Sequence, residues 1–229
     1  MRWLPVLAAM SVVGLAGCST ITGTASSAPP ATAPQATTTT APPKPLTFTE
    51  VRPRLVQAIL DDRAFAGQGL VAKTGAKDSD PPGPFVLTCN IAADSHDIGG
   101  EFKTWNNDGR NLTLIQTVDY LNGEAGAVAV DDVRQELTCG KYTQTNSGDG
   151  SKSSWTLTGQ VTVPPAAGVD RQYAYCEETP PSGLIWACTV LLARGGYVGT
   201  GLAIAETKSA AVSLLTKATP QLAAGLPAA

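Results

Sequence analysis

Few residues in this chain of 229 are of types and spacings that could do chemistry. Its one histidine, His96, is flanked by Asp94 and Asp97. Any Ser-His-Asp or Cys-His machinery would have to use that imidazole, and no Gly-x-Ser-x-Gly elbow accompanies it. Two carboxylates and an imidazole could also ligate a metal, but in a short polar run they read as solvated surface. No catalytic or metal role is therefore assigned to Asp94, His96 or Asp97. The five cysteines are Cys18, Cys89, Cys139, Cys176 and Cys188. No two have the Cys-x-x-Cys spacing that zinc sites and dithiol redox motifs need. Gly196, Gly199 and Gly201 match neither a dinucleotide nor a phosphate loop. They read as a turn followed by a strand of small residues on which a helix packs closely. No cofactor is expected. Trp155, Tyr173, Tyr175 and Trp186 fall on predicted strands, where they serve either core packing or the lining of a ligand cleft. No ligand-binding residue can be named from the sequence.

Cys18 carries a different message. Arg2 precedes an uncharged apolar run, Trp3 to Gly14, and small residues lead into the cysteine. This is the plan of an export signal, and the run is shorter than the ~20 residues of a membrane span. Leu15-Ala16-Gly17-Cys18 resembles a bacterial lipobox. The resemblance implies cleavage before Cys18, diacylglycerol on its thiol, and a mature protein on the outer face of a cell membrane. More than one acyl chain is what stable anchoring takes. No later segment is long and apolar enough to span a bilayer.

The elements follow from this address. Residues 1–17 read as the signal peptide and 18–45 as a Thr/Pro/Ala tether without the apolar side chains that offset ordering entropy. Extended as polyproline II, the tether reaches roughly 80 Å. Residues 46–229 read as a single domain. The net charge is −3 and the basic residues are scattered, so nucleic acid is excluded as a partner.

Within the domain, Thr49 is expected to cap a helix running to Leu60, with Leu55, Val56, Ile59 and Leu60 inward and Pro53 in the first turn. Phe85 to Ile91 and Asn111 to Leu121 read as strands, with an Asp108-Gly109 hairpin turn before the second. Asn122 is expected to cap a helix from Gly123 to about Thr138, stopped by Gly140, with Val130, Val133 and Leu137 buried. Ser153 to Val163 alternates as a half-buried strand. Gln172–Thr179, Leu184–Arg194 and Tyr197–Ala205 form a meander turning at Pro180–Gly183 and Gly195-Gly196. A last helix spans Thr207 to Thr219 and is ended by Pro220. Mixed strands and helices predict an α+β domain: a mostly antiparallel sheet with helices packed on one face.

With Cys18 reserved for lipid, four cysteines remain in an exported domain, which implies two disulfides. Cys176 and Cys188 are symmetric about Ser182, so a hairpin places them opposite each other. Cys89 then pairs with Cys139.

The order of these features resembles a known family. A lipobox and Thr/Pro/Ala linker lead to a Cys-bearing early strand. The Ala-rich Gly123–Cys139 stretch, a Cys…Cys hairpin, Leu191-Leu192-Ala193-Arg194-Gly195-Gly196-Tyr197-Val198 and an Ala-rich last helix follow. Together they are similar to the extracellular sensor domain of PknH-type mycobacterial receptor kinases, a domain also found alone in actinobacterial lipoproteins. The resemblance covers about Leu46 to Ala224. Where those sensors often carry Trp, this chain has Glu136, and their Arg-Gly-Asn is Arg194-Gly195-Gly196 here. The resemblance implies a two-disulfide α+β fold with a small-molecule cleft, and only the four cysteines carry over. The expected function is a non-catalytic, membrane-anchored sensor-like module that binds a small ligand or an envelope protein. The alternatives are an envelope lipid or glycolipid carrier and an accessory to a cell-wall enzyme.

Overall fold

The computed structural model describes residues 44–73, 77–78, 86–91, 96–145, 150–179 and 185–228. The signal segment, Cys18, nearly all of the tether, Phe85, Asp94 and the Pro180–Gly183 turn lie outside the described residues.

The described chain runs α1 (Phe48–Ala58), β1 (Val71–Ala72), β2 (Lys77–Asp78), β3 (Asp97–Asn107), β4 (Leu112–Leu121), α2 (Gly126–Glu136) and β5 (Lys141–Thr145). It continues through β6 (Lys152–Gln160), β7 (Arg171–Glu178), β8 (Trp186–Arg194), β9 (Tyr197–Ala205) and α3 (Lys208–Gly225). One sheet holds them in the order β1-β3-β4-β9-β8-β7-β6-β5, with β2 also on β3. Every pairing is antiparallel. The α+β class, the antiparallel sheet and both disulfides, Cys89–Cys139 and Cys176–Cys188, are as expected.

The helices, however, divide between the two faces of the sheet. On β8, Val190 and Leu192 join the cluster made with Leu55 of α1 and Leu215 of α3, while Leu191 and Ala193 join Val130 and Val133 of α2. Strand β8 is apolar at both parities, so covering a single face would leave half of it in water. Gly199 and Gly201 let α3 lie close to β9. A Cβ on Gly199 would come 2.8 Å from Leu226 Cδ2, and one on Gly201 2.5 Å from Leu222 Cδ1. That close approach is the role read for these glycines from the sequence.

Several boundaries move for identifiable reasons. Helix α1 starts one residue before Thr49. Thr47 is its cap, and the Glu50 carboxylate accepts from Thr47 N at 2.7 Å. Pro53 is the sixth helical residue rather than in the first turn, and Val56 is exposed while Val51 takes its place in the core. Asn122 does not cap α2. Its side chain accepts from Leu46 N at 3.2 Å and donates to Leu46 O at 2.8 Å. The helix begins instead at Gly126, whose N–H donates to Gly195 O at 2.7 Å. It closes at Leu137, before Gly140. Pro220 lies inside α3, which continues to Gly225 because Leu222, Ala223 and Leu226 are core residues. The predicted strand over 85–91 is instead a single helical turn, Thr88–Asn90, in which Cys89 and Asn90 have φ of +60° and +54°. The hairpin after Asn107 is wider than an Asp-Gly turn, since Asn107 pairs with Leu112 across four residues ending in Asn111 at φ +48°.

Strand β3 is absent from the sequence reading because its inward residues include charges. Glu101 and Lys103 are buried there. Arg52 Nε of α1 donates to Glu101 at 2.9 Å, and Lys103 donates to Leu60 O at 3.1 Å while pairing with Asp62. Gln116 on β4 completes this seam, donating to Ala58 O and accepting from Leu60 N, each at 3.0 Å. Such fully paired polar groups cost little to bury and lock the end of α1 to the sheet.

Candidate functional site

Helix α2 covers only part of its face of the sheet. Beyond it lies a cleft of about 390 Å³, within the roughly 300–1,000 Å³ range of small-ligand sites. Its walls are apolar: Val86, Leu87, Ile115, Trp155, Leu202 and Ile204. Alternation supplies them, since odd positions of β4 and even positions of β9 point to this side. The same parity sets Thr117, Asp119 and Thr200 in the lining.

Both disulfides brace the cleft. Cys89–Cys139 ties the segment carrying Val86, Leu87 and Thr88 to the end of α2. Cys176 and Cys188 are directly paired across β7 and β8 with Cα atoms 4.1 Å apart, on the opposite face. Their immediate neighbours Tyr175, Glu177, Ala187 and Thr189 face the cleft.

The polar floor has two parts. One is satisfied: Tyr142 OH donates to Glu177 Oε2 at 2.6 Å, and Thr88 Oγ1 meets Tyr175 OH at 2.9 Å. Burial raises the Glu177 carboxyl above the ordinary carboxylate range despite the Tyr142 bond, and burial likewise raises the Tyr142 and Tyr175 hydroxyls. The other part is unsatisfied. Asp119 and Thr200 are 3% and 6% exposed, and Asp119 Oδ2, Thr200 Oγ1 and Trp155 Nε1 have no hydrogen-bond partner among the described residues. Asp119 faces Val198, so Thr200 is its diagonal neighbour across β4 and β9. Burial holds the Asp119 carboxyl well above the ordinary range, and the nearby Asp97 carboxylate adds to the rise. Gly100 makes room for it, because a Cβ there would overlap Asp119 Oδ1 and sit 2.7 Å from Val118 O.

The residues named from sequence separate. Asp97 is buried, its Oδ1 accepting from Gly99 N at 2.8 Å. His96 is exposed, with Nδ1 3.2 Å from Glu124. The two do not converge on one point, and among the described residues no group of three His, Cys, Asp or Glu side chains is placed to hold a metal. Of the four aromatics, Trp155 and Tyr175 line the cleft. Tyr173 stacks on Tyr175 near Arg134, and Trp186 lies under Lys208.

No protein-family model and no curated protein matches this sequence. Solved structures do. The crystal structure of the extracellular domain of PknH from Mycobacterium tuberculosis superposes with a TM-score of 0.55 at 12% identity, over 80% of this chain and 97% of that one. The fold is that of a PknH-type sensor domain. A putative uncharacterized protein of Mycobacterium smegmatis, an Rv0999 ortholog, aligns at a TM-score of 0.38 and 11% identity over 71% of this chain and 97% of its own.

Sequence reasoning did not find Asp119, Thr200 or Glu177 in this PknH-type fold. Asp119 interrupts an otherwise alternating strand directly before Tyr120-Leu121. A lone carboxylate at an inward parity was the signal that could have marked it.

Proposed function

We propose that the protein is an extracytoplasmic lipoprotein, anchored by lipid on Cys18, whose domain binds a small ligand in the cleft without transforming it. The observation that carries this reading is a set of three polar atoms without a partner among the described residues, Asp119 Oδ2, Thr200 Oγ1 and Trp155 Nε1, all on residues that line one apolar-walled cleft. A buried polar group without a partner costs about 1–3 kcal/mol, which a bound molecule could recover. The likeness to the PknH extracellular domain supports an extracytoplasmic sensing role. The absence of catalysis is our inference from the lining, which excludes His96. A carrier of multi-chain lipids would need more room than about 390 Å³. Signalling from the bound state would pass to an envelope protein, and the lipid would hold the module at the membrane.

Two measurements test the reading. Cys18→Ser expressed in an actinobacterial host should move the protein from the membrane fraction to the medium or wall fraction. Retention at the membrane would overturn the anchor. Native mass spectrometry of the wild-type chain from the same envelope should show an added small-molecule mass that Trp155→Ala diminishes. A mass bound equally by both proteins would place binding outside the cleft.

A further inference from the structure

The cleft's chemistry narrows the class of ligand, and this step rests on the binding reading above. Among the described residues that line it, there is no Lys, Arg or His. Two carboxyl groups, Asp119 and Glu177, are buried in its lining, and a third, Asp97, is close enough to act on Asp119. An anion entering this space would shed its water and meet no cation, which is heavily unfavourable in a low-dielectric site.

The unpartnered atoms say what the ligand offers instead. Trp155 Nε1–H is a donor only, and the Thr200 hydroxyl both donates and accepts. In its protonated form, which burial and the nearby Asp97 favour, Asp119 presents an O–H as well as acceptor lone pairs. Donors therefore predominate, and they want oxygen atoms that carry no charge. The flanking walls, Ile115, Leu202 and Ile204, want hydrocarbon. We infer that the cleft takes an uncharged amphiphile, an apolar body bearing hydroxyl oxygens, and that it excludes phosphate- or carboxylate-bearing amphiphiles of the same shape. The apolar part lies against β4 and β9, and its hydroxyls meet Asp119, Thr200 and Trp155.

The test uses the full chain carrying Cys18→Ser and two probes of one chain length, hexyl β-glucoside and hexyl phosphate, each below its aggregation concentration. Amide shifts of cleft residues report binding and its location. The expected result is saturable shifts around Asp119 and Thr200 with the glucoside, and at least tenfold weaker binding of the phosphate. Thr200→Val should weaken the glucoside by about five- to tenfold, the equivalent of one lost hydrogen bond, while leaving the phosphate unchanged. Equal or tighter binding of the phosphate overturns the charge selection and leaves the cleft reading standing. Glucoside binding unaffected by Thr200→Val overturns the role of the polar floor. Failure of both probes to shift any cleft residue, or shifts confined elsewhere, overturns the binding reading itself.

Discussion

Asp119→Asn should change how stability depends on pH, in a direction opposite to that of most acidic residues. In the native state burial, then the Asp97 carboxylate, holds Asp119 protonated above the ordinary range. In the unfolded chain it ionises near 3.9. Between those two values folding takes up a proton, so the native state binds more protons than the unfolded one and stability falls as pH rises. The loss is about 1.4 kcal/mol for each pH unit in that window and ends once the native carboxyl itself ionises. Asn is nearly isosteric with the neutral acid and does not titrate. Below the unfolded value the two proteins should be about equally stable, and above it the variant should gain about 1.4 kcal/mol over wild type for each pH unit until the native carboxyl ionises. Urea denaturation at half-unit steps from pH 3.5 upward, with disulfides intact, measures this directly. Glu177 has the same sign, because burial raises it too. It acts in both proteins, so only the difference between the two curves reports Asp119. Parallel curves, with no divergence above pH 4, would mean that Asp119 is ionised in the native state. The neutral-donor floor of the cleft would then be wrong.

Three further outcomes follow from the packing. Gly126→Ala would bring a Cβ to 2.6 Å from Tyr197 O, a backbone atom that cannot swing aside. It should cost about 1–3 kcal/mol, read as a lower urea midpoint, and an unchanged midpoint would mean that α2 sits differently. Pro220→Ala, at an exposed position inside α3, restores the donor for Thr216 O and should stabilise by about 1–3 kcal/mol. A loss of stability would show that the ring contributes packing at that turn. Replacing Cys89 and Cys139 together by Ala opens a bridge with a sequence separation of 50 and should cost about 4 kcal/mol. Hydrogen exchange should rise in residues 86–91 more than in β8, and uniform exchange would deny that this bridge holds the cleft wall.

The features legible in the sequence were those that local chemistry determines. The meander was readable because β9 is bounded by Gly195-Gly196 on one side and the Thr207 cap on the other, and the cysteines of β7 and β8 are opposed by simple symmetry. Val130, Val133 and Leu137 were readable because helical spacing alone puts them inward. Features decided by distant partners were not. Asn122 looks like a cap until Leu46, 76 residues away, claims its amide. Pro220 looks like a stop until Leu222 and Leu226 are needed against Gly201 and Gly199. Glu101 and Lys103 look like a solvent face until Arg52 and Asp62 arrive from the α1 region.

The cleft belongs to the second kind, and for a physical reason. Its floor is built from residues that a strand pattern marks as poorly placed: a carboxyl, a threonine and an indole N–H at inward positions with no partner among the described residues. Elsewhere on this sheet Gln116 is matched within the chain by Ala58 and Leu60, whereas Trp105 Nε1 and Asn106 Oδ1 of β3 also lack a partner among the described residues. The same alternation that builds the core therefore leaves Asp119 and Thr200 unmatched on its opposite face. On the binding reading proposed above, Asp119 and Thr200 mark where a ligand would restore hydrogen bonds that the fold leaves unmade.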